Sequence, residues 1–348
     1  MLQFRSVFRR FASSQAIRFK EYGAPSVVLK RESIELPKSL GDSQVLVRMV
    51  AAPINPADLN AVQGNYGIKT SAFPATAGNE GVGIVEKVGS LVKTLKAGDV
   101  VIPTKPGLGT WAQHLVASAD SLDALPFGKD FPVEYAATLS VNPCTAYRLL
   151  SDFASLSKGD VVIQNAANST VGLSVIQIAK ARGIRTINVV RNRPNYEQTV
   201  DALKALGADV VVHEEFFASH EMKKILAELP AAKVAFDAVG GPSATNLSRA
   251  LGDNGSLVTY GGLGRQGVTI PTSSLIFKNI SVKGFWMSRW YNSHSADDRR
   301  KMQSEVAEMV KKGQLKLALE RVKFADFSAA LEKSQTGFRG RKVLLTFE

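Results

Sequence analysis

Asp160-Val161-Val162-Ile163-Gln164-Asn165-Ala166-Ala167-Asn168-Ser169-Thr170-Val171-Gly172 opens with an apolar run, passes through a turn of small residues and enters a helical pattern. The first part is rich in β-branched residues and reads as a buried strand. Downstream, Val171, Val175, Ile178 and Ala179 recur at helical spacing as one apolar stripe, and Gly183 stands where a left-handed residue ends a helix. A strand that feeds a helix through a tight turn aims backbone N–H groups and the positive helix end at one spot, where a pyrophosphate can sit. The glycine fingerprint is nevertheless poor: the three positions of G-x-x-G-x-x-G spacing hold Ala166, Ser169 and Gly172. By itself the motif is weak, and an ordinary strand-to-helix turn reads the same way.

Working outward, further strands read as Thr186 to Val190, Val210 to Val212, Val234 to Ala238, Ser256 to Tyr260 and Ser281 to Phe285, with helical patterns between most of them. Six such strands predict a Rossmann, doubly wound parallel sheet in an α/β chain. Upstream, from Ile17 to about Leu139, short β-rich runs such as Val45 to Val50 and Gly83 to Val88 are broken by Gly and Pro, which predicts an irregular β-barrel-like domain. Beyond Asp297 come a charged helix to about Lys312 and a strand-like Val343 to Phe347 that is expected to return to the first domain. The predicted division is 1–16 as a leader, 17–139 as a first domain, 140–312 as a nucleotide-binding domain and 313–348 as the return.

Composition narrows the function. At 348 residues, 45% hydrophobic and 21% charged, the chain is long enough for two cores, and no apolar run approaches the length of a membrane span. The first twenty residues carry no Asp or Glu but place Arg5, Arg9 and Arg10 among Phe4, Val7, Phe8 and Phe11, followed by Ser13 and Ser14. That is mitochondrial presequence chemistry, with a frayed basic terminus as the plainer alternative. A net charge of +12 favours acidic or phosphate-bearing partners. Nucleic acid is not expected, because no zinc-finger spacing, RNP-type aromatic motif or dense Lys/Arg block occurs. Cys144 is the sole cysteine, and His114, His213, His220 and His294 stand at no metal-binding spacing, so no metal site is expected. His213 and His220, beside Glu214 and Glu215, read as a solvated loop.

Cofactor choice rests on the end of the second strand, where an acidic residue suits the free ribose hydroxyl of NAD. Here the strand runs into Arg191, Asn192 and Arg193. Two guanidiniums without a carboxylate suit a 2′-phosphate and predict NADPH, against the plainer reading of two solvated surface arginines. A proton donor is sought next, because hydride addition to a polarised C=C leaves an enolate-like charge that must be protonated. Tyr66, in Gln63-Gly64-Asn65-Tyr66-Gly67, is the candidate. Its flanking glycines permit unusual backbone angles, and a phenol with an ordinary pKa of about 10 is protonated at neutral pH. Read locally, a loop tyrosine is more often a surface or core residue.

Asn55-Pro56-Ala57-Asp58-Leu59-Asn60, the Tyr66 loop and Gly78-Asn79-Glu80-Gly81-Val82-Gly83 together resemble medium-chain dehydrogenase/reductases, and among them the mitochondrial trans-2-enoyl-thioester reductases. Gly107-Leu108-Gly109-Thr110-Trp111, Ser140-Val141-Asn142-Pro143-Cys144-Thr145-Ala146-Tyr147 and Ile187-Asn188-Val189-Val190-Arg191 extend the resemblance over nearly everything after the leader. It implies a GroES-like first domain and reduction of 2-enoyl thioesters by NADPH, with hydride to the β-carbon and a proton from Tyr66. Asn79 stands where zinc-dependent relatives have a histidine ligand, which agrees with the absence of metal-ligand spacing. The resemblance assigns the cofactor to Asn142, Asn168, Ser169, Thr170, Val171, Arg191, Asn192, Arg193, Tyr260, Gly261, Gly262, Leu263, Phe285, Trp286, Met287 and Lys342. Thr170 departs from the pattern, since relatives often have Gly there, and for Phe285 and Trp286 core or dimer packing is the plainer role.

The implied substrates are acyl chains on acyl carrier protein or coenzyme A in mitochondrial fatty acid synthesis, which places the protein in the mitochondrial matrix. Arg289, Arg299, Arg300, Lys301, Lys311 and Lys312 form a basic region suited to an acidic carrier or simply to solvent. A homodimer is expected from pairing along the last strand. Two rivals stand beside this reading: a zinc-free NADPH quinone reductase of the same superfamily, and a non-catalytic NADPH-binding protein.

Overall fold

The structure, a computed structural model, describes residues 13–70, 72–125, 131–336 and 341–347. In chain order the first strands are β1 (Ser13–Phe19), β2 (Lys30–Glu35), β3 (Gln44–Pro53), β4 (Ala75–Thr76), β5 (Val82–Val88), β6 (Val100–Pro103), β7 (His114–Ser118) and β8 (Leu122–Ala124). There follow β9 (Val161–Gln164), β10 (Arg185–Val190), β11 (Val210–His213), β12 (Ala232–Asp237), β13 (Leu251–Thr259), β14 (Gln266–Val268) and β15 (Ser281–Gly284). The last are β16 (Leu319–Lys323) and β17 (Lys342–Thr346). Contacts divide the chain into two compact units: residues to Thr138 with Leu319–Thr336 and the stretch from Val343, and Leu139–Ala318 with the stretch ending at Lys342.

The first unit is all-β in its frame. One sheet runs β16-β17-β3-β5-β6-β8, with β7 also paired to β3, and a smaller one runs β2-β1-β4. Val45, Val47, Met49, Val85, Val101, Val343 and Leu345 fill its core around Trp111, which is 0% exposed and donates its indole N–H to Pro53 O at 3.1 Å. β17 lies antiparallel to β3, pairing Leu345 with Ala52. Ser13–Ala16, which composition groups with the leader, form the first half of β1; Ser14 and Ala16 are buried there, and Gln15 N donates to the Gln113 side chain at 2.9 Å. Strand pairing overrides the compositional boundary at these positions, and the rest of the leader lies outside the described residues.

The second unit carries the six-stranded sheet β11-β10-β9-β12-β13-β15, parallel throughout. The sequence reading is right here because strands buried on both faces are apolar without alternation. Val162, Val234, Phe236 and Val258 meet Leu149, Val175, Ile178 and Ala179 on one side. Val161, Ile163, Ile187, Ala235 and Leu257 meet Phe217, Met222 and Leu247 on the other. Helix Thr170–Arg182 ends at Gly183, whose φ of 70° is the left-handed cap. Helix Ala296–Lys311 matches the charged segment, its start fixed by Ser295, whose hydroxyl accepts from Asp298 N at 3.1 Å. The unit runs to Ala318 rather than Lys312, since the Gln177 amide holds Lys316 by both its O (2.9 Å) and its N (2.8 Å).

Candidate active site

In the second unit the strand order reverses between β9 and β12, and because every strand is parallel, the segments that follow them emerge at one edge. Asn168 to Val171 follow β9, Arg191 to Arg193 follow β10, Tyr260 to Leu263 follow β13, and Phe285 to Met287 follow β15. The topology therefore gathers most of the expected cofactor residues at the carboxyl edge of the sheet, from four separate stretches of chain.

The turn after β9 shows how a glycine-poor fingerprint still makes a cradle. Ser169 caps the helix, its hydroxyl accepting from Gly172 N at 3.1 Å, which also explains a serine at the middle position. Gly172 is required: a Cβ there would lie 2.4 Å from Ala167 O, so the helix start presses directly on the turn. Ala166 occupies the first glycine position with φ of 46°, a left-handed backbone that costs a non-glycine residue about 1–2 kcal/mol. Ala166→Gly relieves that strain at a smaller entropic cost, so it is expected to raise unfolding stability by up to about 1 kcal/mol without weakening nucleotide binding. Chemical denaturation with and without nucleotide measures both. Thr170, the departure from the pattern, is the first helical residue, and its carbonyl accepts from Ser174 Oγ at 2.8 Å.

Of the two arginines, Arg191 is exposed and Arg193 is partly buried. With its amide oxygen facing Arg193, Asn168 accepts from Nη1 at 3.1 Å and Nη2 at 2.8 Å, so the β9 turn and the end of β10 meet side chain to side chain. Burial and then the neighbouring Arg191 charge both disfavour the Arg193 cation, holding its pKa below the ordinary guanidinium value. Two like charges held near one another, one of them partly desolvated, suit a phosphate dianion. Asn192 is exposed between them.

The remaining expected residues are more varied. Burial keeps the Tyr260 phenol protonated, its pKa pushed well above the usual tyrosine range, with Ser169 and the Asp237 carboxylate nearby. Gly261 lies tight against Ala238, where a Cβ would meet the carbonyl oxygen at 3.1 Å, while Gly262 opens on empty space and Leu263 is 56% exposed. Phe285 packs edge-on against Phe153 in the core, with 5.7 Å between ring centroids, so its structural role is evident. Trp286 precedes helix Met287–Ser293 at its N-cap position, without a side-chain capping bond, and Met287 is buried. Asn142 is buried in the first turn of helix Asn142–Asp152, and Lys342 is buried where its backbone N donates to Ala318 O at 2.8 Å.

Asp237 is a site residue that the sequence reading missed. Fully buried at the end of β12, its Oδ1 accepts from the Asn165 amide at 2.7 Å, Val239 N at 3.0 Å and Gly240 N at 2.9 Å, and its Oδ2 from Thr259 Oγ1 at 3.0 Å. Asn165 Oδ1 in turn accepts from Ala238 N at 2.7 Å. This network locks the turns after β9 and β12 on either side of the switch point; a carboxylate at the end of an apolar strand before Gly240-Gly241 is the signal for it. The reading of His213 is also corrected. It stands at the N-cap of helix Glu214–Phe217, its Nδ1 lying 3.2 Å from Phe216 N, whose N–H it accepts when unprotonated, and 2.8 Å from Glu215 Oε2, to which it donates when protonated, and His220 begins a helix rather than lying in a loop.

In the first unit, helix Pro56–Val62 runs into the Tyr66 loop. Gly64, at φ of 73°, donates to Ala61 O at 3.1 Å, and Asn65 N to Asn60 O at 2.8 Å, which turns the chain back and leaves Tyr66 half-buried. At the foot of the same helix lies a buried polar cluster. Asp58 Oδ2 accepts from Asn55 N at 2.7 Å, and its Oδ1 accepts from Asn79 N at 3.0 Å and Asn79 Nδ2 at 2.6 Å. Asn55 Nδ2 donates to Glu80 Oε2 at 2.8 Å, and Asn79 Oδ1 accepts from Gly107 N at 2.7 Å. Asn79 is thus a bracket between this helix and the Gly107-Leu108-Gly109 loop. Among the described residues no group of three or more His, Cys, Asp or Glu is placed to hold a metal ion.

Two family models match the chain: an alcohol dehydrogenase GroES-like domain over residues 41–127 and a zinc-binding dehydrogenase over residues 170–300. The mitochondrial enoyl-[acyl-carrier-protein] reductase of Dictyostelium discoideum is 48% identical over 344 residues, covering 99% of this chain and 97% of that one. A solved structure of the Etr1p/NADP/crotonyl-CoA complex superposes with a TM-score of 0.88 at 33% identity, over 96% of this chain and 99% of the other. A putative NADPH:quinone reductase from Bacillus thuringiensis gives a TM-score of 0.85 at 29% identity, over 96% and 99%.

Proposed function

Since the chain belongs to the mitochondrial enoyl-[acyl-carrier-protein] reductases of the medium-chain dehydrogenase/reductase superfamily, we propose that it reduces trans-2-enoyl thioesters to saturated acyl thioesters with NADPH, Tyr66 being the proton donor. The observation that supports the cofactor most strongly is Arg193, tied through Asn168 to the β9 turn with the Arg191 charge beside it. Its chemistry fits the phosphorylated dinucleotide: guanidiniums for the 2′-phosphate, and the N–H groups of the Ser169-capped helix start for the pyrophosphate. Bound NADPH supplies the hydride for the β-carbon of the substrate. The phenol of Tyr66 holds the proton that the α-carbon takes up, and by hydrogen bonding it steadies the charge that develops toward the thioester oxygen. Tyr260 is buried near Ser169, and burial raises the pKa of its phenol, so that this second phenol stays neutral.

A crotonyl thioester and a quinone, offered separately with NADPH, test the proposal. Consumption of NADPH on the thioester supports it, consumption on the quinone alone favours the quinone reductase, and binding without either reaction favours a non-catalytic nucleotide-binding protein.

Acyl groups on both coenzyme A and acyl carrier protein fall within the proposed substrate class, in the mitochondrial matrix. The cationic side chains of helix Ala296–Lys311 are less available to an acidic carrier than their number suggests, because Asp297, Asp298, Glu305 and Glu308 balance them within the helix: Arg300 pairs with Asp297, Lys311 with Glu308 at 2.8 Å, and Arg299 reaches the His294 carbonyl at 3.3 Å. Lys301, Lys312 and Arg289 stand exposed and are the residues we assign to carrier contact.

We further propose a homodimer. β15 is an edge strand with all four residues exposed, and helix Thr272–Lys278 before it presents Leu275, Ile276 and Phe277 at 45%, 67% and 79% exposure. Such an edge beside apolar side chains suits antiparallel pairing with a second copy across a two-fold axis. Phe277→Glu is expected to convert a dimer to a monomer in sedimentation equilibrium; a wild-type monomer contradicts the proposal.

A further inference from the structure

Tyr22 belongs to none of the sequence motifs, yet its side chain spans the loop that carries Tyr66. Its hydroxyl oxygen accepts from Thr70 N at 3.1 Å, fixing the far end of the loop. At the near end the ring lies so close to Gly64 that a Cβ there would meet Tyr22 Cγ at 3.0 Å and Cβ at 3.2 Å, so this approach, like the left-handed backbone, calls for glycine. The Lys69 ammonium sits 5.5 Å from the ring centroid and donates to the Gly64 carbonyl, closing the loop on itself across the aromatic face. Behind, Phe73 meets the ring edge-on at 5.1 Å and Phe19 lies at 6.3 Å. Gly23 N, the next residue's amide, donates to Val62 O at 3.1 Å, tying the ring's backbone to the end of the helix that launches the loop.

Both shoulders of the loop, Gly64 and Thr70, therefore rest on one aromatic ring, and Tyr66 lies between them. We propose that Tyr22 is a positioning residue for proton donation: its ring and hydroxyl set the loop so that the Tyr66 phenol is held in its reactive orientation. This rests on the assignment of Tyr66 as donor. Catalytic groups lose rate steeply when displaced by an ångström, and a surface loop without such a brace samples other arrangements.

Tyr22→Phe removes only the bond to Thr70 N and is expected to lower kcat about threefold, whereas Tyr22→Ala also removes the ring and is expected to lower it at least about tenfold. KM for NADPH stays unchanged in both, because the residues assigned to the nucleotide lie in the second unit. The test is a double-mutant cycle with Tyr66→Phe, every rate being normalised to sites titrated with NADPH so that unfolded protein does not count. The expected result is that Tyr22→Ala slows the enzyme carrying Tyr66 but leaves the residual rate of the Tyr66→Phe enzyme unaltered. Equal losses in both backgrounds, or no loss in the first, overturn the proposal while leaving Tyr66 as donor. A Tyr66→Phe enzyme that works at the wild-type rate overturns both. If Tyr22→Ala does not fold, Tyr22→Phe carries the same cycle.

Discussion

Replacing Tyr66 by Phe is expected to lower kcat for crotonyl-thioester reduction by about a hundred- to ten-thousandfold, the range by which positioned general acids act. The loop is not expected to move. Its turn is made by backbone bonds from Gly64 and Asn65 and by the ring of Tyr22, and none of these involves the phenolic oxygen of residue 66. NADPH affinity is unchanged, because the loss falls on an interaction made only as the α-carbon takes its proton. Steady-state kinetics with a nucleotide titration separates the two effects. A quinone acceptor, which can be protonated by solvent, would show no such loss.

Replacing both Arg191 and Arg193 by Ser is the change with the next largest effect. A hydrogen bond to a charged group contributes about 1.5–3 kcal/mol, so removing two donors from the phosphate is expected to weaken NADPH binding by at least about a hundredfold. Affinity for NADH, which has no 2′-phosphate, changes little, and the preference for the phosphorylated form collapses. The apo protein gives up little stability, since the pair repels itself and Arg193 is already disfavoured by burial. Fluorescence titration with both dinucleotides measures the ratio. An unaltered preference would place the phosphate elsewhere.

Much of the second unit is legible in its sequence, because buried parallel strands declare themselves by uninterrupted apolar runs and helices by their stripe and their glycine cap. The beginning of β13 is not: Leu251 to Gly255 hold Gly, Asp and Asn, which local propensity reads as a loop, and only pairing of Leu251 with Ala232 across a register shift makes them strand. β1 is hidden in the same way, since Ser13-Ser14-Gln15 looks like leader until its partners in β2 and at Gln113 are known. The candidate site follows this pattern. Arg191 and Arg193 are visible as charge where a carboxylate is customary, but the meeting of Arg193 with Asn168 depends on two strands lying side by side. Asp237 and Tyr22 act through contacts 72 and 48 residues away, at Asn165 and Thr70, and no local pattern announces such partners.

Asn79 shows how a resemblance and a physical reading complete each other. The resemblance marks it as standing in a ligand position; its bonds to Asp58 and Gly107 show what the amide does instead, bracing the helix that leads to Tyr66.

The most direct measurement of the central claim is the fate of deuterium when the purified protein reduces a crotonyl thioester with NADPH carrying the label as its transferable hydride. The expected product is a butyryl thioester labelled at the β-carbon, its α-carbon protonated from solvent through Tyr66. Label at the α-carbon, or oxidation of the cofactor only when a quinone is supplied, contradicts it.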